Sequence, residues 1–214
     1  MYKKKPLFIV FEGVEGCGKS YQSKKLFKNL KKKRISAILT REPGGTRSAE
    51  SIRTLILKDY FNNGKDDKFD KYTDTLLYLA ARNEHIKNKI KPALKNKKII
   101  ICDRFIDSTF AYQVYGKKVN KLFIDNIHKL ILQDVKPNIT FVLTVSPKSS
   151  KTRLKKRKTT NRYDNFSQSF YTKAQKAFLK LAKNKKNYFI LNSSKNDSNL
   201  EKKIFDIVCK YLKN

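Results

Sequence analysis

Residues Leu7–Ser20, LFIVFEGVEGCGKS, carry the clearest indication of the fold in this chain. The last eight of them, Gly13–Ser20, match the phosphate-binding pattern GxxxxGK[ST]. Glycines in this pattern let backbone N–H groups turn around phosphate oxygens, and its lysine reaches the β- and γ-phosphates of a nucleotide. The apolar run before the pattern is typical of a buried strand, and helical periodicity follows it, so a chance glycine-rich turn is the weaker interpretation.

Hydrophobic periodicity extends this strand–loop–helix unit along the chain. Short apolar runs predict strands over 7–11, 35–40, 98–102, 138–145 and 188–191. Amphipathic patterns predict helices over 20–33, 49–58, 71–91, 119–132, 147–158, 170–183 and 199–212. Because strands alternate with helices, we predict one α/β domain over residues 1–214, with a five-stranded parallel sheet flanked by helices. The polar segments 62–67 and 155–169 are predicted to be mobile loops.

The charge of the chain is strongly positive. It has 214 residues, with 50 Lys and Arg against 18 Asp and Glu, for a formal net charge of +32. Such a charge is typical of nucleic-acid-binding proteins, because basic residues neutralise phosphates. Only nine of the basic residues are Arg, however, and the lysines are spread along the chain as an AT-rich coding sequence would place them. We therefore expect no specific nucleic-acid partner, although a nucleic-acid-binding protein with a nucleotide switch stays an alternative.

The sequence also bears on location. Its apolar runs are far shorter than the roughly 18 residues that a membrane span needs, and the run 7–11 is shorter than the core of an export signal. The three cysteines, Cys17, Cys102 and Cys209, are an odd number without CxxC spacing. This argues against a disulfide framework and a zinc site, and suits a reducing compartment. We expect a cytoplasmic protein without membrane contact.

A second polar group follows another predicted strand. Asp103 comes directly after the apolar run 98–102, and Arg104 follows it. An acid at this place in a parallel sheet can organise Mg²⁺ beside a phosphate-binding loop, whose serine, here Ser20, ligates the ion. We therefore predict a magnesium site at Ser20 and Asp103; the alternative is an ion pair that caps the strand.

The phosphate-binding loop by itself does not distinguish GTPases, motors and small-molecule kinases. The guanine-reading NKxD motif is missing from the sequence, and the chain is too short for a motor core. The other distinctive motifs are TREPGGT at 40–46, AAR at 80–82, DRF at 103–105, STFAYQ at 108–113 and NRYD at 161–164. In order and spacing, over about residues 7–183, they resemble the bacterial thymidylate kinases.

This resemblance implies a P-loop NTPase fold with a mobile basic lid at about 155–169. The implied reaction is MgATP + dTMP ⇌ ADP + dTDP, a step toward dTTP, with Mg²⁺ as cofactor and ATP and dTMP as partners. Similar kinases form homodimers. An acceptor such as dUMP or another pyrimidine monophosphate stays an alternative within the same enzyme class.

The resemblance also assigns the donor side and the catalytic groups. The implied ATP-binding residues are Gly13, Val14, Glu15, Gly16, Cys17, Gly18, Lys19 and Ser20. The implied catalytic residues are Lys19, Arg104, Arg157 and Arg162, with the last two on the lid. A solvated basic face is the alternative for these two arginines. Six of the nine arginines lie in the motifs, where a planar bidentate donor suits phosphate better than Lys does; they are Arg41, Arg53, Arg82, Arg104, Arg157 and Arg162.

On the acceptor side, the implied dTMP-binding residues are Glu15, Arg53, Tyr78, Arg82, Arg104, Thr109, Tyr112 and Gln113. In this assignment Glu15 binds the 3′-hydroxyl, Arg104 the phosphate and Arg82 the thymine edge. Tyr112 packs against the deoxyribose and excludes a 2′-hydroxyl. Tyr78 stands where the family usually has Phe, and NRYD replaces the usual DRxE. His85 and His128 are expected to be structural, because an ionised phosphate acceptor needs no general base.

Overall fold

The strands lie in one parallel sheet, as the sequence predicts. The computed structural model describes residues 6–57, 69–156 and 167–213. The strands are β1 Leu7–Glu12, β2 Ala37–Arg41, β3 Ile99–Asp103, β4 Ile139–Thr144 and β5 Tyr188–Asn192. Their order in the sheet is β2-β3-β1-β4-β5, and every neighbouring pair is parallel. This arrangement confirms the predicted fold class.

The central strand β1 shows why its sequence is apolar throughout. All six of its residues are buried. Leu7, Ile9 and Phe11 face one hydrophobic cluster, and Phe8 and Val10 face a second one on the opposite side of the sheet. A strand covered by helices on both faces has no solvent side, so it shows a continuous apolar run in place of alternation.

Helices cover both faces of the sheet. They are α1 Lys19–Lys32, α2 Arg47–Leu57, α3 Lys71–His85, α4 Lys91–Lys95, α5 Ile106–Thr109, α6 Lys121–Leu132, α7 Pro147–Lys155, α8 Gln168–Ala182 and α9 Ser198–Lys213. A π-helical turn, Ile86–Ile90, joins α3 to α4. Side chains of Asn120, Ser146 and Ser167 accept N–H groups at the starts of α6, α7 and α8, which explains where these helices begin. No helix in the described ranges is long and apolar enough to cross a bilayer.

The segment after β3 carries no clear helix or strand pattern in its sequence, and in the structure it is helical. Helix α5 continues directly into a π-helix, Phe110–Gly116, so the motif STFAYQ lies on helical turns. The ends of the predicted loop 155–169 are helical in the structure, because Lys155 is the last residue of α7 and Gln168 is the first residue of α8. Arg157, Arg162 and the motif 161–164 lie outside the described residues, as does the predicted loop 62–67. The single domain over 1–214 and the lid stay predictions.

Candidate active site

The carboxyl ends of β1 and β3 open into a cleft of about 440 Å³. Phe11 of β1 is in register with Asp103 of β3, so the P-loop Gly13–Ser20 and the Asp103–Arg104 pair leave the sheet side by side. All the residues that the resemblance assigned to dTMP border this one cleft: Glu15, Arg53, Tyr78, Arg82, Arg104, Thr109, Tyr112 and Gln113. Ligands in parallel α/β folds bind at this edge of the sheet.

The P-loop fits tightly against the sheet. A Cβ atom on Gly13 would lie 2.4 Å from the carbonyl oxygen of Leu143, and the residue has φ +138°, so only glycine is accommodated. The side chains of Val14 and Cys17 are buried in the core, so these residues can reach a nucleotide only through their backbone. Glu15, Gly16, Gly18, Lys19 and Ser20 border the cleft.

Lys19 lies within the loop that it serves. Its Nζ donates to Val14 O at 2.8 Å and lies 3.6 Å from Cys17 Sγ. An ammonium group has three N–H donors, so one remains for a phosphate oxygen. The lysine is thus held close to the loop backbone.

The predicted magnesium residues touch each other. Ser20 Oγ donates to Asp103 Oδ2, and both residues border the cleft. Across the described ranges no group of three His, Cys, Asp or Glu residues could enclose a metal. Mg²⁺ at phosphate-transfer sites commonly takes one or two protein oxygens and completes its shell with phosphates and water. The pair Ser20 and Asp103 fits that requirement.

Arg104 is fixed next to the P-loop. Its Nη1 donates to Gly13 O at 2.9 Å and to Ser108 Oγ at 3.0 Å, and its Nη2 donates to Glu15 Oε1 at 2.6 Å. The guanidinium also lies 5.2 Å from the ring centre of Tyr112. Burial opposes its charge, but the carboxylates around it, Glu15 first, raise the pKa of Arg104 well above its usual value. A permanent cation therefore stands at the junction of the two strand ends.

The position of Arg104 depends on Glu12, a residue that sequence reasoning missed. Glu12 Oε1 accepts the N–H of Phe105 at 2.8 Å, and Oε2 accepts the hydroxyl of Ser108 at 2.6 Å. Burial, and then the charge of Asp107, raise the pKa of the Glu12 carboxyl to about 7. The sequence feature that could have pointed to Glu12 is an acidic residue at the end of a fully apolar strand, because a charge buried there without a partner is unfavourable.

Arg82 is held more completely than Arg104. It is 3% exposed, and its Nε donates to Glu42 Oε2 at 2.7 Å. Its Nη1 donates to Thr109 Oγ1 and to His128 Nε2, both at 2.8 Å, and its Nη2 donates to Phe105 O at 2.8 Å. Of its five N–H groups, these contacts leave one on Nη2.

Two histidines support this arginine from behind the cleft wall. Burial, and then the charge of Arg82, lower the pKa of His128 to about 3, so its neutral ring accepts from the guanidinium. His85 Nδ1 lies 2.9 Å from Glu42 Oε1, and its Nε2 lies 2.7 Å from Thr40 Oγ1. Burial opposes the charge of Glu42, but Arg82 and His85 lower the pKa of this carboxyl below its usual value. Both histidines therefore support Arg82, although sequence reasoning gave no role to Glu42.

Other residues assigned to dTMP also line the cleft. Tyr112 is buried between Phe170 and Phe178, with ring centres 5.8 and 6.0 Å away. Gln113 is buried, and within the described part of the chain its Nε2 has no hydrogen-bond partner. Arg53 Nη1 donates to Pro43 O at 2.7 Å, so part of its guanidinium is already used by the backbone.

Comparison with known proteins identifies the family of the chain. The family model described as thymidylate kinase matches residues 11–204. A thymidylate kinase of Aster yellows witches'-broom phytoplasma (strain AYWB) is 42% identical over 211 residues, covering 97% of each chain. One from Wolbachia pipientis wMel is 43% identical over 179 residues, covering 82% of this chain and 85% of the relative.

A solved structure extends the agreement to the whole fold. The crystal structure of thymidylate kinase from Ehrlichia chaffeensis superposes with a TM-score of 0.74 at 31% identity, covering 95% of this chain and 99% of that one. The resemblance that the motifs carried is confirmed. The chain belongs to the thymidylate kinase family.

Proposed function

We propose that this cleft transfers the γ-phosphoryl group of ATP to dTMP and releases dTDP and ADP. Phosphorylation of dTMP with ATP is the reaction of the family to which the chain belongs. The observation that carries the proposal is the convergence of the P-loop and of the assigned acceptor residues on one cleft at the ends of β1 and β3.

The donor phosphates belong at the P-loop. Its backbone N–H groups and the N-terminus of α1 favour anions, and Lys19 offers its remaining N–H to a phosphate oxygen. Ser20 and Asp103 would hold Mg²⁺ beside the loop. When bound there, Mg²⁺ neutralises charge on the β- and γ-phosphates.

The acceptor phosphate belongs beside Arg104. The three contacts of its guanidinium with Gly13, Ser108 and Glu15 leave two of the five N–H groups for phosphate oxygens. The attacking oxygen of dTMP is already ionised, so the protein needs no general base. Its task is to place two anionic groups in line and to neutralise their charge, and Arg104 lies next to the P-loop, where it can do both.

The base belongs at the Arg82 end of the cleft. The last N–H of Arg82 and the unpartnered Nε2 of Gln113 are both donors, and thymine presents carbonyl oxygens as acceptors. An amino group in place of a carbonyl would bring two donors together, which disfavours cytosine. The buried ring of Tyr112, packed against two phenylalanines, leaves it little freedom to make room for a 2′-hydroxyl.

The proposal includes groups outside the described residues and the cellular setting. Arg157 and Arg162 are proposed to close over ATP and stabilise charge on the transferred group. A homodimer is proposed because the family resemblance implies one, and sedimentation would test it. The three cysteines are free thiols, which supports a cytoplasmic location.

ADP release tests the proposal directly. Purified protein is incubated with MgATP and, in parallel, dTMP, dUMP, UMP, dCMP or buffer. We expect strong preference for dTMP and the slowest turnover with UMP and dCMP. Equal rates with UMP would contradict the role of Tyr112. Equal rates with dUMP would move the acceptor to pyrimidine deoxynucleotides generally, and turnover without any acceptor would contradict the kinase assignment.

A further inference from the structure

Three side chains outside the P-loop bind three consecutive carbonyl groups within it. Ser150 Oγ donates to Glu15 O at 2.9 Å, and Arg153 Nη1 donates to Gly16 O at 3.1 Å. Ser193 Oγ lies 2.5 Å from Cys17 O. We call Ser150, Arg153 and Ser193 the carbonyl clamp. None of these residues was assigned to the nucleotide from the sequence.

The clamp comes from two separate elements that the fold brings to the loop. Ser150 and Arg153 are three residues apart on α7 and therefore share one face of that helix. Ser193 follows β5 and is completely buried. Arg153 also ties the two elements together, because its Nη2 donates to Ser193 O at 2.8 Å and to Ser194 O at 2.5 Å.

The loop and α7 are in close contact. A Cβ atom on Gly16 would lie 2.9 Å from Ser150 O and 3.0 Å from Ser150 Oγ. Real Cβ atoms are essentially never found this close to a backbone oxygen, so only glycine fits between the loop and α7 at this position. The hydrogen bonds from Ser150 and Arg153 hold the loop against the helix.

Fixing these carbonyls also fixes the N–H groups that follow them. In a trans peptide the C=O of one residue points opposite to the N–H of the next. The clamped carbonyls of Glu15 and Cys17 therefore turn the N–H groups of Gly16 and Gly18 away from the clamp, and both glycines border the cleft. The N–H between them, that of Cys17, donates within the loop to Val14 O at 3.3 Å.

We propose that Ser150, Arg153 and Ser193 are positioning residues, which orient the backbone N–H groups of Gly16 and Gly18 toward the β-phosphate of the donor nucleotide. This inference rests on the proposed function, since it takes the P-loop as the donor phosphate site. It adds a set of residues that act on ATP and ADP binding and not on dTMP. A prearranged loop avoids the entropic cost of ordering its N–H groups when the nucleotide binds.

Arginine is required at position 153 by the geometry of its contacts. A guanidinium fork reaches acceptors on the P-loop and on the segment after β5 at the same time, whereas an ammonium group cannot. Arg153→Lys therefore separates positioning from simple attraction of phosphate, because it keeps the positive charge.

The experiment measures ADP and dTMP affinity by calorimetry, and the Michaelis constants for ATP and dTMP, on the full chain. We expect Ser193→Ala and Ser150→Ala each to weaken ADP binding about fivefold, the equivalent of one neutral hydrogen bond. Arg153→Lys should weaken it about tenfold or more, as for a charged hydrogen bond. The KM for ATP should rise, while dTMP affinity stays within a factor of two of wild type.

The matched control is Ser149→Ala. Ser149 lies beside Ser150 on α7, and its hydroxyl contacts Ser146 Oγ at 2.9 Å. ADP affinity of this variant should equal that of wild type. Thermal unfolding of every variant confirms that it folds.

Two results would overturn the inference. If Arg153→Lys and both alanine variants bind ADP as wild type does, the clamp does not position the loop. If ADP and dTMP affinity fall together, the residues act on general stability. A wild-type protein that binds dTMP but not ADP would instead contradict the proposed donor site itself.

Discussion

Two arginines, the buried Arg82 and the partly buried Arg104, face the same cleft and are held in different ways. Arg82 makes four hydrogen bonds and is tied to a buried carboxylate, Glu42, and to a neutral imidazole, His128. Arg104 makes three hydrogen bonds, and its ion-pair partner Glu15 itself borders the cleft. Arg104 also has φ +74°, a conformation that non-glycine residues seldom adopt.

The different ways in which Arg82 and Arg104 are held match their proposed tasks, which are binding the base and binding the acceptor phosphate. Reading a base edge needs one donor held at one angle, so Arg82 has most of its N–H groups occupied by the protein. Binding a phosphate needs several donors, so Arg104 keeps two N–H groups available. The cost of the unusual backbone at Arg104 is offset by the contacts of Glu12 with the next residues, Phe105 and Ser108.

The largest effect is expected at the base end of the cleft. Glu42→Gln removes the anion paired with Arg82, at 2.7 Å and almost fully buried, and leaves an uncompensated cation. Breaking such a pair costs about 3–5 kcal/mol, which urea unfolding would measure as a lower midpoint. The Michaelis constant for dTMP should also rise more than that for ATP.

The control for Glu42→Gln is Asp125→Asn. Asp125 pairs with Lys121 at 2.5 Å on the surface of α6, and the two side chains are 35% and 63% exposed. An exposed i,i+4 pair contributes about 0.3–0.5 kcal/mol. Equal destabilisation by the two substitutions would show that burial does not distinguish the two ion pairs.

At the phosphate end, Arg104→Ala should act on rate more than on stability. Loss of a donor aimed at developing charge costs about 10²–10³ in kcat. Steady-state kinetics with dTMP measures this, and Arg104→Lys should recover part of the loss because it restores a cation. Wild-type turnover by Arg104→Ala would exclude the phosphate role, and loss of folding in circular dichroism would show that Arg104 is needed for the fold itself.

A smaller effect is expected on the pH dependence of stability, which should differ between His128 beside Arg82 and Glu12 near Arg104. The pKa of His128 is lowered from 6.5 to about 3 in the folded protein, so the unfolded chain takes up its proton first. Stability from this group is complete above pH 6.5 and is lost as pH falls toward 3, by on the order of 2 kcal/mol at pH 5. In His128→Gln the midpoint of thermal unfolding should fall less between pH 7 and pH 5 than in wild type.

The contribution of Glu12 to stability should change with pH in the direction opposite to that of His128. Its pKa is raised from 4.5 to about 7, so the folded protein holds this proton where the unfolded chain has released it. Stability from Glu12 is complete below pH 4.5 and is lost as pH rises through 7. Glu12→Gln should remove that loss, measured as a smaller decline in the unfolding midpoint between pH 5 and pH 8. Parallel pH profiles for the His128 and Glu12 variants would contradict the assigned difference.

Sequence patterns predicted the sheet well because its signals are local. The run Leu7–Phe11 and the run 98–102 are too apolar for a surface, and each observed strand lies within two residues of its predicted bounds. The P-loop, Ser20 and Asp103 were predictable for the same reason, since a fixed spacing and a strand end placed them. Their meeting at Ser20 Oγ and Asp103 Oδ2 followed from the parallel register.

The supporting residues were not predictable because their roles arise from contacts across the chain. Glu42 meets Arg82 at a separation of 40 residues, and Ser193 meets Cys17 at a separation of 176. A buried glutamate or serine carries no periodic signal of such a partner. The segment Ile106–Gly116 was missed because its pattern is neither α-helical nor extended, and the structure shows why: most of it is a π-helix.

Because of that π-helix, the number of residues in the segment determines where the substrate-facing side chains lie. Phe110–Gly116 carries both Tyr112 and Gln113, and an α-helical turn of the same path would hold one residue fewer. Deleting a single residue before Tyr112 would let the turn close as an α-helix, so the chain after it could keep its place, but Tyr112 and Gln113 within the turn would have to shift relative to the cleft. Surface loops tolerate insertions and deletions, but this segment should not. A scan of single-residue deletions would show an abrupt loss of dTMP turnover within 110–113 and little change in the turn after α6.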